Sequence, residues 1–175
     1  NEHHSIFFDY FFYFITYLGD GIVPVFVTLS FLFVKYRYAI LIGLSNIIAA
    51  VVTQILKHTL FSDVVRPKKF FEGIHDLYFV PGVDNYLYNS FPSGHSTCAF
   101  SLYLALSLMT ENKVFKFVCV SIALLVAYSR IYLSQHFFED VYAGSIVGVS
   151  ATLLVYFFLR KYSNNKIDAS LMKLL

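Results

Sequence analysis

Five apolar runs of about twenty residues leave this chain little choice of solvent. A helix rises about 1.5 Å per residue, so about 20 apolar residues match the roughly 30 Å hydrocarbon core of a bilayer. The runs cover about 17–34, 39–60, 94–110, 114–133 and 138–160. Only 14% of residues are charged and 58% are hydrophobic, against about 25% charged in an ordinary soluble domain. Backbone polar groups in hydrocarbon must be satisfied internally, so the expected fold is an all-α polytopic membrane helix bundle. Residues 5–16 (SIFFDYFFYFIT) are too short to span and carry Asp9. They read as an interfacial or re-entrant helix, with a tilted first span as the alternative. At 175 residues the whole chain, 1–175, is expected to be one membrane-embedded domain.

Counting crossings divides the connections between two sides. One side carries eight basic residues, Lys35, Arg37, Lys113, Lys116, Arg160, Lys161, Lys166 and Lys173. The other carries five, Lys57, Arg66, Lys68, Lys69 and Arg130, together with nine of the eleven acidic residues. The positive-inside rule makes the first side cytoplasmic, so the 61–92 loop faces outward. A net charge of +2 with no basic run argues against nucleic acid. Cys98 and Cys119 lie inside apolar runs and read as small buried hydrophobes. Trp is absent, which leaves Tyr to form any interfacial aromatic belt. Nothing in the sequence specifies an oligomeric state.

Three polar clusters fall on the outward side. They are Lys57 with Arg66-Pro67, then Pro92-Ser93-Gly94-His95, then Ser129-Arg130 followed by His136 and Asp140. Unpaired charge at the ends of membrane helices is expensive, so three converging cations require an anion. The Arg fork matches phosphate oxygens in particular. Ser93-Gly94-His95 opens a helix, where free N–H groups and the helix dipole favour an anion, and Gly94 permits close approach. His136 and Asp140 are four apart and share a helix face; Asp140 can take the Nδ1 proton and leave the Nε2 lone pair free.

Each feature also has a plain structural explanation. Lys57 alone reads more readily as a snorkelling interface residue. Lys68 and Lys69 read as loop charges or lipid-headgroup contacts, His95 as a helix-start residue, Asp140 with Arg130 as an ion pair, and Glu139 as a solvated neighbour. Tyr128, Tyr132 and Tyr142 read as interface anchors or packing, and His3, His4, His58 and His75 have no role. The coincidence of all three clusters on one side outweighs these readings.

The Pro92-Ser93-Gly94-His95 and Ser129-Arg130-x5-His136-x3-Asp140 patterns resemble the second and third signatures of the type 2 phosphatidic acid phosphatase superfamily. The resemblance spans about residues 57–140, the expected active-site region. Its first signature departs, because eight residues separate Lys57 from Arg66 where the family usually has six. The family commonly has six spans, which implies one more before residue 1. The resemblance implies a phosphatase acting on a lipid phosphate, with His136 as nucleophile forming a phosphohistidine and Asp140 orienting it. His95 would protonate the leaving oxygen and then activate water, while Lys57, Arg66, Ser93, Gly94 and Arg130 hold the phosphoryl oxygens. No acidic cluster suited to a metal is visible, so neither metal nor cofactor is expected. Undecaprenyl diphosphate, phosphatidylglycerol phosphate, phosphatidate and a lipid A phosphate all fit as substrates, in a bacterial inner membrane with the site facing outward. The 68–91 loop is expected either to select the lipid or merely to cap the helix ends. The rival classes are a non-catalytic membrane protein, such as a channel or a lipid-phosphate binder, and a vanadate-dependent haloperoxidase, which the apolar runs disfavour.

Overall fold

The computed structural model describes residues 4–162, 168, 169 and 171, and every regular element among them is helical. Helix α1 (Ile6–Ile15) continues through a 3₁₀ turn, Thr16–Gly19, and is followed by α2 (Ile22–Leu32) and α3 (Tyr36–Ile55). Helix α3 ends in a π-helical turn, Leu56–Leu60, and a short α4 (Pro67–Phe70) sits in the long loop. Helices α5 (Gly94–Leu108), α6 (Lys113–Tyr132) and α7 (Phe138–Lys161) complete the bundle. Three of the helices, α1, α5 and α6, start at a residue whose side chain accepts from an orphan N–H group. Ser5 accepts from Phe8 N–H, Ser93 from Ser96 N–H, and Asn112 from Phe115 N–H.

Three helical stretches, Tyr36–Leu60, Lys113–Tyr132 and Phe138–Lys161, are long and apolar enough to cross a membrane. Between 33% and 39% of their most apolar windows is buried in the protein, so most of that apolar surface must face lipid. The expected span at 17–34 is not one straight helix. Ile6–Gly19 and Ile22–Leu32 meet at a 52° bend, and together they count as a fourth crossing only as a broken span. The break has a local cause: Asp20 turns its carboxylate back to accept from Ile22 N–H at 2.9 Å and so starts a new helix. The 94–110 run also shortens, to the fifteen residues of α5, about 22 Å long. Lys166 and Lys173, used in the charge comparison, and His3 lie outside the described residues.

Asp9 does not point away from the protein as an interfacial charge would. It is buried and accepts from Tyr132 Oη at 2.6 Å and Tyr78 Oη at 2.7 Å, tying α1 to α6 and to the long loop. At the opposite end, Arg37 donates to the Leu159 and Tyr162 carbonyls at 2.6 and 2.7 Å and pairs with Asp168. The hydrogen bonds from Arg37, then from Lys35, hold the Asp168 carboxyl well below its ordinary range.

Helix α5 occupies the centre and packs on α3, α6 and α7. Its buried face is built largely of small residues, Ser96, Thr97, Ala99, Ser101 and Ala105. Small residues let membrane helices approach closely, and hydroxyls add interhelical hydrogen bonds. Thr53 Oγ1 meets Thr97 Oγ1 at 3.2 Å, and Thr152 Oγ1 donates to the Ser101 carbonyl at 3.1 Å. Glycine is required where α7 crosses α5: a Cβ at Gly144 would lie 2.5 Å from the Ser93 carbonyl oxygen, and one at Gly148 would collide with that of Thr97. Cys98 is half-buried and Cys119 buried, both as free thiols.

This contact yields a test. Gly148→Ala should destabilise the folded protein by about 1–3 kcal/mol, the usual cost of overpacking. Unfolding in mixed micelles should show it as a lowered midpoint against wild type.

Candidate active site

The ends of α3 and α6 and the starts of α5 and α7 meet at one end of the bundle. Lys57 lies in the last turn of α3, Arg130 in the last turn of α6, His95 in the first turn of α5, and Asp140 in the first turn of α7. His136 sits in the short link between α6 and α7, and Arg66 immediately precedes α4. All the residues singled out in the three sequence clusters therefore share one end.

The link from Arg130 to Asp140 is tightly specified. Gln135 N–H and His136 N–H both donate to the Arg130 carbonyl, at 2.9 and 3.1 Å. Asp140 Oδ2 accepts from Phe137 N–H at 2.9 Å, which caps α7 while holding the carboxylate toward His136. His136 and Asp140 are each only 3% exposed, with Nδ1 to Oδ2 at 3.3 Å. Nε2 faces the other way, 3.4 Å from Arg66 Nη1. Burial outweighs the opposing hydrogen bond to Asp140 and pushes the His136 imidazole below its ordinary value.

The cations are gathered by neutral acceptors. Lys57 Nζ donates to the Asn89 carbonyl at 2.7 Å, and Arg66 Nη2 reaches the same oxygen at 3.3 Å. The eight-residue spacing thus still brings Lys57 and Arg66 together. The π-helical turn, closed by Phe61 N–H on the Leu56 carbonyl at 3.0 Å, takes up chain length at the helix end itself. Arg66 also donates through Nε to the Tyr88 carbonyl at 3.0 Å and lies over the Tyr86 ring at 5.5 Å. Arg130 donates to Thr16 Oγ1 at 2.7 Å and Gln135 Oε1 at 3.3 Å, and its buried Nε has no partner. Asp140 is engaged by Ser90 and Phe137 as well as His136, so the expected alternative of an Asp140–Arg130 ion pair is not what holds these two residues.

At the start of α5, Ser93 N–H donates to the Asp140 carbonyl at 2.9 Å, which registers this helix against α7. Close packing at Gly19, where a Cβ would collide with Val126 and lie 3.0 Å from the His95 carbonyl, brings the bend of α1–α2 beside His95. His95 lies within electrostatic range of Arg130, Arg66 and Lys57, and of Asp20. A cavity of about 500 Å³ runs from Gly94 and His95 between α2 and α3, past Thr53 and Gln54 to Asn46 and Gly43. That is the size range of a small-molecule site.

Sequence reasoning missed the contribution of residues 85–90. Ser90 Oγ donates to Asp140 Oδ2 and lies 3.4 Å from His136 Nδ1, while Asn89 supplies the carbonyl shared by Lys57 and Arg66. No motif marks these contacts; only the proximity of Ser90 to Pro92 hinted at them. Elsewhere the loop behaves as expected for surface charge: Lys69 pairs with Glu72, and Lys68 lies over Phe79. Phe70 packs edge-on against Phe137, next to His136.

Two buried cations, Lys57 and Arg130, and the half-buried Arg66 thus gather with the Asp140 carboxylate at one end of a membrane bundle. The chain belongs to the PAP2 superfamily, whose sequence pattern matches residues 37–163. It is 41% identical over 66 residues to the lipid A 4'-phosphatase of Porphyromonas gingivalis, covering 38% of this chain and 28% of that protein. It is 37% identical over 87 residues to phosphatidylglycerophosphatase B of Bacillus subtilis, covering 45% and 40%. The matched segments therefore span less than half of those two relatives. Among solved structures, LpxE of Aquifex aeolicus superposes with a TM-score of 0.79 at 25% identity, covering 90% of each chain. The transmembrane PAP2-type phosphatidylglycerolphosphate phosphatase of Bacillus subtilis gives 0.69 at 25% identity, over 93% of this chain and 81% of that one.

Two outcomes are expected from this geometry. Ser90→Ala should lower kcat/KM for a phosphate ester by about 10–150-fold, since it removes a hydrogen bond to a charged group worth about 1.5–3 kcal/mol. ¹⁵N-histidine NMR should show His136 neutral at about pH 5.5, a unit below the ordinary imidazole value of about 6.5. Its depressed value means that the proton is taken up only at lower pH; a charged ring there would contradict the burial argument.

Proposed function

We propose that this chain is a membrane phosphatase that removes the terminal phosphate of a lipid (di)phosphate through a phosphohistidine on His136. The observation that carries the reading is the orientation of His136, with Nδ1 toward Asp140 and Nε2 toward Arg66. With the Nδ1 proton directed at Asp140, Nε2 presents its lone pair on the side where the cations lie. A phosphoryl group attracted by Lys57, Arg66 and Arg130 is thereby brought against a nucleophile.

In the first step the Nε2–P bond forms, the P–O bond to the leaving group breaks, and His95 gives its proton to the departing oxygen. In the second, His95 takes a proton from water, the water oxygen attacks phosphorus, and the P–N bond breaks to release phosphate. Ser93 and the Gly94 N–H, at the start of α5, hold phosphoryl oxygens along with the cations. Such transfer depends chiefly on positioning and charge neutralisation. The three cations do the neutralising, and the reaction is metal-independent.

A lipid leaving group is supported by the cavity beside His95 and by the lipid substrates in the relatives' names. The charge asymmetry supports an outward-facing site in a bacterial inner membrane, with α5 as a short fifth crossing. His136→Ala should reduce phosphate release from lipid A, phosphatidylglycerol phosphate and undecaprenyl diphosphate to background. Quenched wild-type enzyme should carry an acid-labile, alkali-stable phosphoryl label that the variant lacks. Activity should persist in excess EDTA; loss reversed by Mg²⁺ would overturn the three-cation model.

A further inference from the structure

Gln135 has no part in the chemistry just described, yet it is 2% exposed and its whole amide is engaged at the site. Oε1 accepts from Arg130 Nη2 at 3.3 Å and from Arg66 Nη1 at 3.5 Å, and the Gln135 main-chain carbonyl accepts from the same Arg66 nitrogen at 3.2 Å. Nε2 donates to Asn85 Oδ1, while Asn85 Nδ2 donates to the Val83 carbonyl at 3.0 Å. The amide can sit only one way round. Both guanidinium groups are pure donors, so the oxygen must face them and the nitrogen must face Asn85.

Two guanidinium groups repel each other, and neither is neutralised by Gln135. A neutral acceptor between them holds both forks in place while leaving their full charge for an incoming anion. A carboxylate in its place would hold them more strongly but would compete with that anion. We propose that Gln135, seated by Asn85, is a positioning residue that aligns Arg66 and Arg130 on one oxyanion. Segment 83–89 of the long loop thereby sets the geometry of the anion clamp. Arg66 supports this from its other side, since its main-chain N–H donates to the Leu87 carbonyl at 2.8 Å. For catalysis the proposal rests on the phosphatase reading; for anion binding it stands alone.

The test uses the full chain purified in detergent, with vanadate as probe of the clamp. Gln135→Leu should raise the vanadate inhibition constant and lower kcat/KM by about 10–100-fold, the effect usual for residues that orient the groups touching a ligand. Gln135→Glu should melt at or above the wild-type temperature yet bind vanadate more weakly than wild type, a combination that a purely structural glutamine does not produce. Asn85→Ala should act in the same direction, and the Gln135→Leu/Asn85→Ala double variant should be no worse than Gln135→Leu alone. If Gln135→Leu fails to fold, Gln135→Glu decides. Vanadate binding by Gln135→Leu within about twofold of wild type, wild-type vanadate affinity in Gln135→Glu, or fully additive effects with Asn85→Ala would overturn the proposal. A wild-type protein that binds vanadate through Gln135 but releases phosphate from no lipid would defeat the phosphatase reading and leave the clamp standing.

Discussion

Buried positive charge is the constraint around which this molecule is organised. Lys57 and Arg130 are 8% and 7% exposed, and Arg66 joins them from the loop. Removing such groups from water costs several kcal/mol each unless polar partners replace the lost hydration. The protein supplies mostly neutral oxygens: the carbonyls of Tyr88 and Asn89, the Gln135 amide and the Thr16 hydroxyl. Its single carboxylate at the site, Asp140, is occupied by His136, Ser90 and the Phe137 N–H. The local group of Lys57, Arg66, Arg130 and Asp140 therefore stays net positive.

The requirement for so many oxygens accounts for much of the surrounding architecture. Thr16 can reach Arg130 only if the N-terminal helix folds over the bundle, and the Asp9 contacts to Tyr78 and Tyr132 hold it there. Asn89 and Ser90 can reach the cations and Asp140 only if the loop returns across the helix ends. The 61–92 loop thus has two parts. Residues 85–90 bond to the cations, Gln135 and Asp140, whereas Lys69 pairs with Glu72 and Lys68 lies over Phe79.

Close helix approach supplies the precision. Gly144 and Gly148 bring α7 against α5, so that Ser93 N–H reaches the Asp140 carbonyl. The same approach sets the start of α5, with Ser93 and Ser96, against α7. Gly19 performs the corresponding task for the bend between α1 and α2. In a bilayer, where lipid is as apolar as the side chains, this intimate packing and a few hydroxyl contacts hold helices together.

The sequence alone determined the solvent, the helical class and the gathering of its polar clusters at one end of the bundle. These follow from run length, and from polar residues too costly to leave at random depths in hydrocarbon. It also paired His136 with Asp140, although not on one helix face as expected: His136 precedes α7, and the Asp140 carboxylate reaches it from the first turn, turned that way by its bond from Phe137 N–H. What it could not carry was any contact between residues distant in the chain. The break at Asp20 depends on a local hydrogen bond competing with helix continuation, which hydropathy does not register. The arrival of Lys57 beside Arg66 depends on a π-helical turn, and the roles of Asn89, Ser90 and Gln135 depend on carbonyls and amides that no motif marks. Those were decided by tertiary structure, because buried cations take whichever oxygens the fold brings within about 3 Å.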